Sequence, residues 1–574
     1  MMARHRQLIR FRVRLLTIAF CVAALMLVGR LYHVQVIEAA EYQLKAERQY
    51  VHTKQDIYSR GSIFFTTRDG ELLSAASVRA GYVLAVNPQQ VIDARAICDV
   101  VTEIITLDTE TCIHRSTLPE RTYVELDDEV SEEQYLVIQA AALPGVMLYR
   151  NNWRYYPGGT VAARTIGFVG YGDESSDLRG RFGLERMYDD VLFRQREVMS
   201  VNFFAELFSQ VGSLVYRREG SVPGNVVTTL EPSVSRMLDG VLEKTQAQYQ
   251  SRQTGAIIMD PQTGEIYAMN VVPTFDLNDR RGATIEQFRN PLVEDVFEFG
   301  STIKALTVAA GLDSGAISAG STYTDNGSIT LNTFTIRNYD GRARGTVDMQ
   351  QVLNQSLNTG VSHIVQKMKK ERFREYFTAF LGGRTGIDLP SEVPGLLGNL
   401  QSPRDVEYAT ASFGQGIALT PVAATRALAA LGNGGKLVTP HLVKEVRYED
   451  GVVETVTLPT PPQVITPESS EEISRMLVRV VDEALKGGNV ALPNYTIAAK
   501  TGTAQIADSA GGGYYEDKFL HSFFGYFPAY EPRFIVFMYT IEPQGVQYAS
   551  ETLTEPFMEI VRFLINYYSI PPDR

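Results

Sequence analysis

The 574-residue chain is 44% hydrophobic and 21% charged, the make-up of a folded protein and not of a disordered or collagen-like one. Its length exceeds what one core organises, so about two to four domains are expected. A net charge of −12 excludes a broad nucleic-acid surface, which needs a basic patch, and no nucleic-acid partner is expected.

In chain order, Arg4, Arg6, Arg10, Arg12 and Arg14 come first, followed by an uncharged apolar run from Leu15 to Gly29. Beyond Arg30 the apolar character resumes through Leu31, Val34, Val36 and Ile37. The run alone falls short of the roughly 20 apolar residues that cross a bilayer. Arg30 can snorkel to the interface and extend the span to Ile37. The positive-inside rule then predicts a cytoplasmic tail over 1–14, a single-pass anchor in the cytoplasmic (inner) membrane over 15–37, and the remainder outside. A cleaved signal is disfavoured, because no small-x-small site follows and Phe20 before Cys21 is too large for lipoprotein processing. Cys98 and Cys112 would lie outside the cytoplasm, which permits a disulfide, with two separate buried thiols as the equal alternative. Neither lies near a histidine cluster, so no metal site, cofactor or cysteine nucleophile is expected.

Ala39 to Gln55 reads as a polar helix. Arg60–Phe64 and Arg68–Glu71 read as strand, turn, strand, with Asp69-Gly70 in the turn. Short strands and helices are expected to Ser221. A fresh start follows, with a β-rich run over Gly224–Thr229, a helix from Pro232 to Tyr249, and a hairpin of Gly255–Asp260 with Ile266–Met269. Apolar residues at Ile303, Leu306, Val308, Ala309 and Leu312 predict a helix beginning at Ser301. Further helices are predicted over Val352–Lys370, Pro421–Leu431, Ser469–Lys486 and Thr554–Tyr568. Strands are predicted over Tyr495–Thr501, Ser522–Phe527 and Arg533–Ile541. The fold class is α+β, a sheet flanked by helices over 222–574.

Three short motifs carry chemistry. Ser301-Thr-Ile-Lys304 puts a hydroxyl and an amine one turn apart on a helix face. A serine needs a neighbour to take its proton, and a lysine serves once burial or a second cation lowers its pKa. Lys500 is the candidate second cation. By itself Ser-x-x-Lys occurs about once by chance in a chain this long, mostly as ordinary helix surface. Ser356-Leu-Asn358 supplies a proton relay and an amide near a helix start, or simply a polar cap. Lys500-Thr-Gly502, with Thr503 next, lies at the end of a predicted strand. Such a strand can add an extended peptide at its edge, and Lys500 with Thr501 can bind a carboxylate. Gly502 allows close backbone approach. Chance occurrence of this tripeptide is roughly one per several thousand positions, so it weighs most. The trio also matches the signature of penicillin-binding proteins and class A β-lactamases.

Longer segments make the resemblance specific. Phe297–Lys304, Thr385–Pro390 with Glu392, Ser412–Ile417 with Thr420-Pro421, and His521–Tyr526 resemble class B (monofunctional) penicillin-binding proteins, the membrane-anchored peptidoglycan D,D-transpeptidases. Arg60–Ile63, Arg154–Pro157, Gly167–Gly170 and Gly183–Glu185 resemble that family's pedestal. The resemblance implies a transmembrane helix, an extended mixed α/β pedestal (dimerisation-like) domain over 38–221 and a β-lactamase-like transpeptidase domain over 222–574. It implies Ser301 as acylated nucleophile, Lys304 as its base, Ser356 as relay and Asn358 against the donor peptide. Lys500 and Thr501 would hold the terminal carboxylate of a stem peptide or β-lactam, and the N–H groups of Ser301 and Thr503 would form the oxyanion hole. The implied partners are peptidoglycan stem peptides, β-lactams, a SEDS-type glycosyltransferase in the membrane and other division or elongation proteins. Ser412–Ile417 and His521–Gly525 lean toward division-type members. Three departures stand out: Phe299 for a usual proline, Leu357 for a usual serine or aspartate, and Ile63–Thr67 without an Asp-Arg pair. A β-lactamase is the competing reading, but no Glu-x-x-Leu-Asn element lies between the second and third motifs. An inactive β-lactam-binding scaffold or sensor is the other.

Overall fold

The computed structural model describes residues 59–171, 178–194, 222–508 and 512–574, together with Met26. The predicted tail 1–14, anchor 15–37 and polar helix 39–55 lie outside the described residues apart from Met26. Among the described residues no helix is long and apolar enough to cross a membrane. The chain divides into two compact units, and the described parts are Ala80–Trp153 in one and Arg60–Arg79, Arg154–Arg194 and 222–574 in the other.

The larger unit is built on a five-stranded antiparallel sheet in the order Ala498–Ala507, Tyr514–Phe527, Phe534–Ile541, Gln253–Met259, Ile266–Val272. The period-two alternation of a strand divides its side chains between two cores. Ile258, Val536, Met538 and Phe523 pack with Leu238, Val241, Phe557 and Val561 of helices Pro232–Tyr249 and Thr554–Tyr567. Ile257, Ile535, Phe537 and Phe524 face the opposite way, toward Leu306, Ile364 and Leu477 of helices Lys304–Asp313, Asn358–Met368 and Pro467–Arg479. With both faces covered, Phe534–Ile541 is buried along its whole length, which is why its sequence is apolar but for Thr540, whose hydroxyl pairs with that of Thr254. Several helices begin where proline follows a capping residue: Glu231, Thr420 and Thr466 each accept a backbone N–H near the helix start, a geometry in which proline's missing donor costs nothing.

A second sheet joins Ile63–Thr66 in parallel to Gly224–Thr228 and antiparallel to Leu72–Val86, with Val443–Tyr448 beyond. Thr66 Oγ1 donates to the Thr228 carbonyl at 2.6 Å, and Thr228 Oγ1 to the Phe64 carbonyl at 2.9 Å. These threonines cross-tie the parallel pair at the strand Ile63–Thr67 that lacks the Asp-Arg pair ahead of its turn.

In the smaller unit the strand Val124–Val130 and the helices Ala94–Thr102, Thr109–Ser116 and Glu132–Ala140 enclose a core of Leu84, Val86, Ile97, Val101, Leu126 and Ile138. Cys98 and Cys112 are joined as a disulfide, with a Cα–Cα distance of 5.8 Å. Of the two alternatives open in the sequence, the bridged one is present.

Several elements differ from expectation: the strand expected at Arg68–Glu71 begins only at Leu72, the one expected from Ser522 already begins at Tyr514, and the helix expected to Lys486 leaves α geometry after Arg479. The single helix predicted over Val352–Lys370 is two, Met349–Asn354 and Asn358–Met368. The chain turns between them at Ser356, whose φ is +53°. Lys500-Thr-Gly502 does not end its strand but stands near the start of Ala498–Ala507. The strand runs on because Tyr514–Phe527 returns alongside it as a hairpin.

Candidate active site

Ser301 lies in a 3-10 turn, Gly300–Ile303, that leads into helix Lys304–Asp313. Three contacts fix this turn. Gly300 has φ +60°, and a Cβ there would meet the Thr503 carbonyl at 2.5 Å. The Phe299 carbonyl accepts from Ser522 Oγ at 2.7 Å and Thr302 Oγ1 at 3.2 Å. Phe297 and Leu419 exchange backbone hydrogen bonds at 2.8 and 2.9 Å. The turn is thereby pressed against the strand that carries Lys500.

Lys304 is 1% exposed. Its Nζ donates to the Ser356 carbonyl at 2.5 Å and to Ser356 Oγ at 3.2 Å. Lys500, 3% exposed, donates to the same Oγ at 3.1 Å and to the Thr501 carbonyl at 3.0 Å. One serine hydroxyl therefore stands between two buried amines. Burial, and then the Lys500 charge, pulls the Lys304 pKa well below its ordinary value. Burial alone brings Lys500 down to about 8. A neutral amine has two N–H donors and one lone pair. Lys304 spends both donors on Ser356, which leaves the lone pair to accept a proton.

Asn358 opens the helix after Ser356, and its Nδ2 donates to the Arg337 carbonyl at 2.9 Å. Thr501 and Thr503 follow Lys500 along a strand at the sheet edge, so one row of its backbone groups is unpaired within the sheet. Thr503 Oγ1 accepts the Ala549 N–H at 3.1 Å. Ser301, Lys304, Ser356, Asn358, Lys500, Thr501, Gly502 and Thr503 thus come from three segments meeting at one end of the edge strand. Lys304 itself is hydrogen-bonded to Ser356 and not to Ser301. Among the described residues, no cluster of His, Cys, Asp or Glu gathers that would hold a metal.

The penicillin binding protein transpeptidase domain family matches residues 254–562, and the penicillin-binding protein dimerisation domain family matches 58–227. The chain belongs to the class B penicillin-binding proteins. Stage V sporulation protein D of Bacillus subtilis (strain 168) is 30% identical over 459 residues, 78% of this chain and 69% of that protein. Peptidoglycan D,D-transpeptidase FtsI of Escherichia coli (strain K12) is 28% identical over 588 residues, 99% of this chain and 94% of that protein. The fold is shared with penicillin binding protein 2X from Streptococcus thermophilus, with a TM-score of 0.70 at 20% identity over 90% of this chain and 81% of that one.

Two of this penicillin-binding protein's departures from the family pattern have a packing explanation. Phe299 is 1% exposed and sets its ring edge-on to Phe537 at 4.8 Å, so an aromatic contact fixes the entry to the turn where a proline ring would. Leu357 is fully buried in the helical core, and its neighbours Ser356 and Asn358 keep their polar groups at the site.

Supporting residues escaped the sequence reading. Glu298 accepts the Gly416 N–H at 3.0 Å and the Tyr514 hydroxyl at 2.9 Å, clamping the hairpin onto the segment that carries Ser301. The buried Asp325 carboxylate accepts from Asn338 Nδ2 at 3.0 Å and Thr359 Oγ1 at 2.8 Å, bracing the residue after Asn358. Glu298 lies inside a quoted motif, which was a usable signal; Asp325 had none. His521, fully buried, bridges Thr552 Oγ1 at 3.0 Å and the Gln547 carbonyl at 3.1 Å, and burial pulls its pKa down to about 4. It is a neutral brace for the strand facing Thr503.

Gly502→Ala is expected to slow penicillin acylation on the order of 10²-fold, the cost of misplacing reacting groups by about 1 Å. The added Cβ would stand 2.4 Å from both the Phe299 carbonyl and Ser522 Oγ, forcing the edge strand off the nucleophile turn. A stopped-flow rate within about threefold of wild type would mean that the contact yields without moving Ser301.

Proposed function

We infer that this chain is a peptidoglycan D,D-transpeptidase that crosslinks stem peptides through an ester on Ser301. The observation that carries the reading is Ser356 Oγ held between Lys304 and Lys500, beside the turn that presents Ser301. Ser301 Oγ attacks the carbonyl of the penultimate residue of the donor peptide while the Lys304 amine takes its proton. Negative charge on the tetrahedral oxygen is met by the N–H groups of Ser301 and Thr503, each worth about 3 kcal/mol in such a hole. The proton passes from Lys304 through Ser356 to the departing amine, and the acyl–serine ester remains. Lys500 and Thr501 grip the donor's terminal carboxylate, and Asn358 holds its amide. An acceptor amine then enters, loses its proton along the same relay in reverse, and displaces Ser301. A β-lactam enters the first half of this sequence and stays as the ester.

We further propose that 15–37 anchors the chain in the inner membrane with 1–14 in the cytoplasm and the catalytic part outside, on the strength of the arginine-flanked apolar run. The segment 38–221 is then a non-catalytic pedestal and 222–574 the transpeptidase domain. Arg60–Arg79 and Arg154–Arg194 of the pedestal segment pack within the larger unit. A SEDS-type glycosyltransferase supplies the glycan strands, and the motif pattern favours septal synthesis at division.

Labelling the full chain with fluorescent penicillin, followed by peptide mapping by mass spectrometry, tests the central reading. The adduct is expected on the peptide containing Ser301. An adduct on another residue overturns the assignment, and rapid drug hydrolysis with no adduct makes the chain a β-lactamase.

A further inference from the structure

A second cleft, of about 340 Å³, opens in the larger unit away from Ser301. Arg533, on its wall, precedes the strand Phe534–Ile541. Phe537 of that strand is aligned through Phe524 with Lys500. Arg533 is thus about 13 Å along the strands and two strands, about 10 Å, across from the catalytic motif.

The groups lining this cleft fall into two sets. Arg68 and Glu231 are already engaged. Arg68 bonds the Tyr567 carbonyl and lies 5.2 Å from that ring. Glu231 caps helix Pro232–Tyr249 through the Val234 N–H at 2.5 Å and accepts the Tyr567 hydroxyl at 2.8 Å. The second set is unspent. Among the described residues, Lys444 and Arg533 make no ion pair, the Glu265 carboxylate accepts no hydrogen bond, and the Tyr267 and Tyr568 hydroxyls are unbonded. Tyr267 and Tyr568, 5.9 Å apart ring to ring and both backed by the buried Phe534, give the cleft an apolar side.

Two exposed cations without an ion-pair partner among the described residues, Arg533 with only the Asp260 carboxylate acting on it at longer range, leave the cleft open to an anion. A phosphate dianion would also face the carboxylates of Glu231 and Glu265, a like-charge arrangement that a low-dielectric wall makes costly. A single carboxylate suits a guanidinium better, and an ammonium on the same ligand would satisfy Glu265. We propose that this cleft is a second binding site, separate from the Ser301 cleft, for a short zwitterionic peptide whose carboxylate meets Arg533 and Lys444 and whose ammonium meets Glu265. The transpeptidase reading supplies the source of that peptide but not the chemistry: it is a wall stem peptide on a strand other than the one being acylated.

The test is isothermal titration of the tripeptide L-Ala-γ-D-Glu-L-Lys into the full chain in detergent, with Ser301 first acylated by penicillin so that the catalytic cleft is closed. Saturable binding is expected, weakening as ionic strength rises. The double variant Arg533→Ala, Lys444→Ala is expected to weaken it about tenfold or more, and Glu265→Gln several-fold. Acylation rates of the variants should equal wild type, which checks that they fold. No saturable binding, or equal binding by the variants, overturns the proposal. So does cleft-dependent binding of inorganic phosphate or of phosphatidylglycerol vesicles in place of the tripeptide. A chain that takes no penicillin sinks the transpeptidase reading alone, because the titration on unacylated protein still reads this cleft through the same variants.

Discussion

Lys304→Met is expected to slow acylation of Ser301 by penicillin about 10³- to 10⁴-fold, close to the complete loss of covalent labelling expected for Ser301→Ala. Methionine keeps the length and apolar stem of the buried lysine, so packing is retained and only the amine is removed. The size of the effect follows from the hydrogen bonds. With both donors on Ser356, the Lys304 lone pair is in the proposed mechanism the acceptor for the serine proton, and the same amine would start the relay to the leaving group. Removing it disables both transfers, and groups that act as a unit are lost together. The pH profile identifies the cause. Lys304 works only when neutral, and burial together with the Lys500 charge holds its pKa far below the usual lysine value. Acylation should therefore rise with pH through that lowered value and then level off. Lys500 loses its charge above about 8, so KM for carboxylate-bearing substrates should rise there while the chemical step persists. Lys500→Ala removes the second cation, and the acid limb should move to higher pH. Stopped-flow acylation across pH checks each point. A Lys304→Met rate within about tenfold of wild type would remove Lys304 from the role of base.

What the sequence could not reveal has a physical pattern. The apolar series Val352, Leu353, Leu357, Val361 and Ile364 runs through the break at Ser356, because Leu357 stays in the same core although the backbone has turned. Periodicity reports which face is buried and is blind to a single residue at positive φ. The strand after Lys500 was foreshortened because its length is set by a hairpin partner and not by its own residues. By contrast Phe534–Ile541 was legible, since burial on both faces leaves it apolar but for Thr540. The groups of the proposed site could be picked out because the chemistry proposed for them restricts residue type. Asp325 could not, because a carboxylate that braces a loop from a distant segment has no local pattern.

Glu185→Gln is expected to cost about 3–5 kcal/mol of folding stability, the price of stranding a charge inside a protein. Three motifs far apart in the chain meet at this side chain, in the larger unit. Glu185 is fully buried, with Oε2 accepting Arg60 Nε at 2.7 Å and Oε1 accepting Arg154 Nε at 2.6 Å. Arg60 also bonds the Glu185 carbonyl at 2.9 Å and lies 2.8 Å from Asp189, while Arg154 donates to the Gly61 carbonyl at 2.8 Å. Arg60 and Arg154 thus share Glu185 and Asp189, the latter also paired with Arg179 at 3.1 Å, and the amide leaves the three guanidinium groups one carboxylate. Arg154 suffers most, because Glu185 is its ion-pair partner. The comparison variant is Asp189→Asn. Its carboxylate side chain is 19% exposed, water can stand in for it, and the loss should be about 1 kcal/mol. Urea unfolding of the full chain, followed by far-ultraviolet circular dichroism, to which the larger unit contributes most of the described secondary structure, measures both. Equal losses for the two variants would mean that the buried arginines reach solvent when their partner is removed. A loss several times larger for Glu185→Gln is the signature of a charge that cannot.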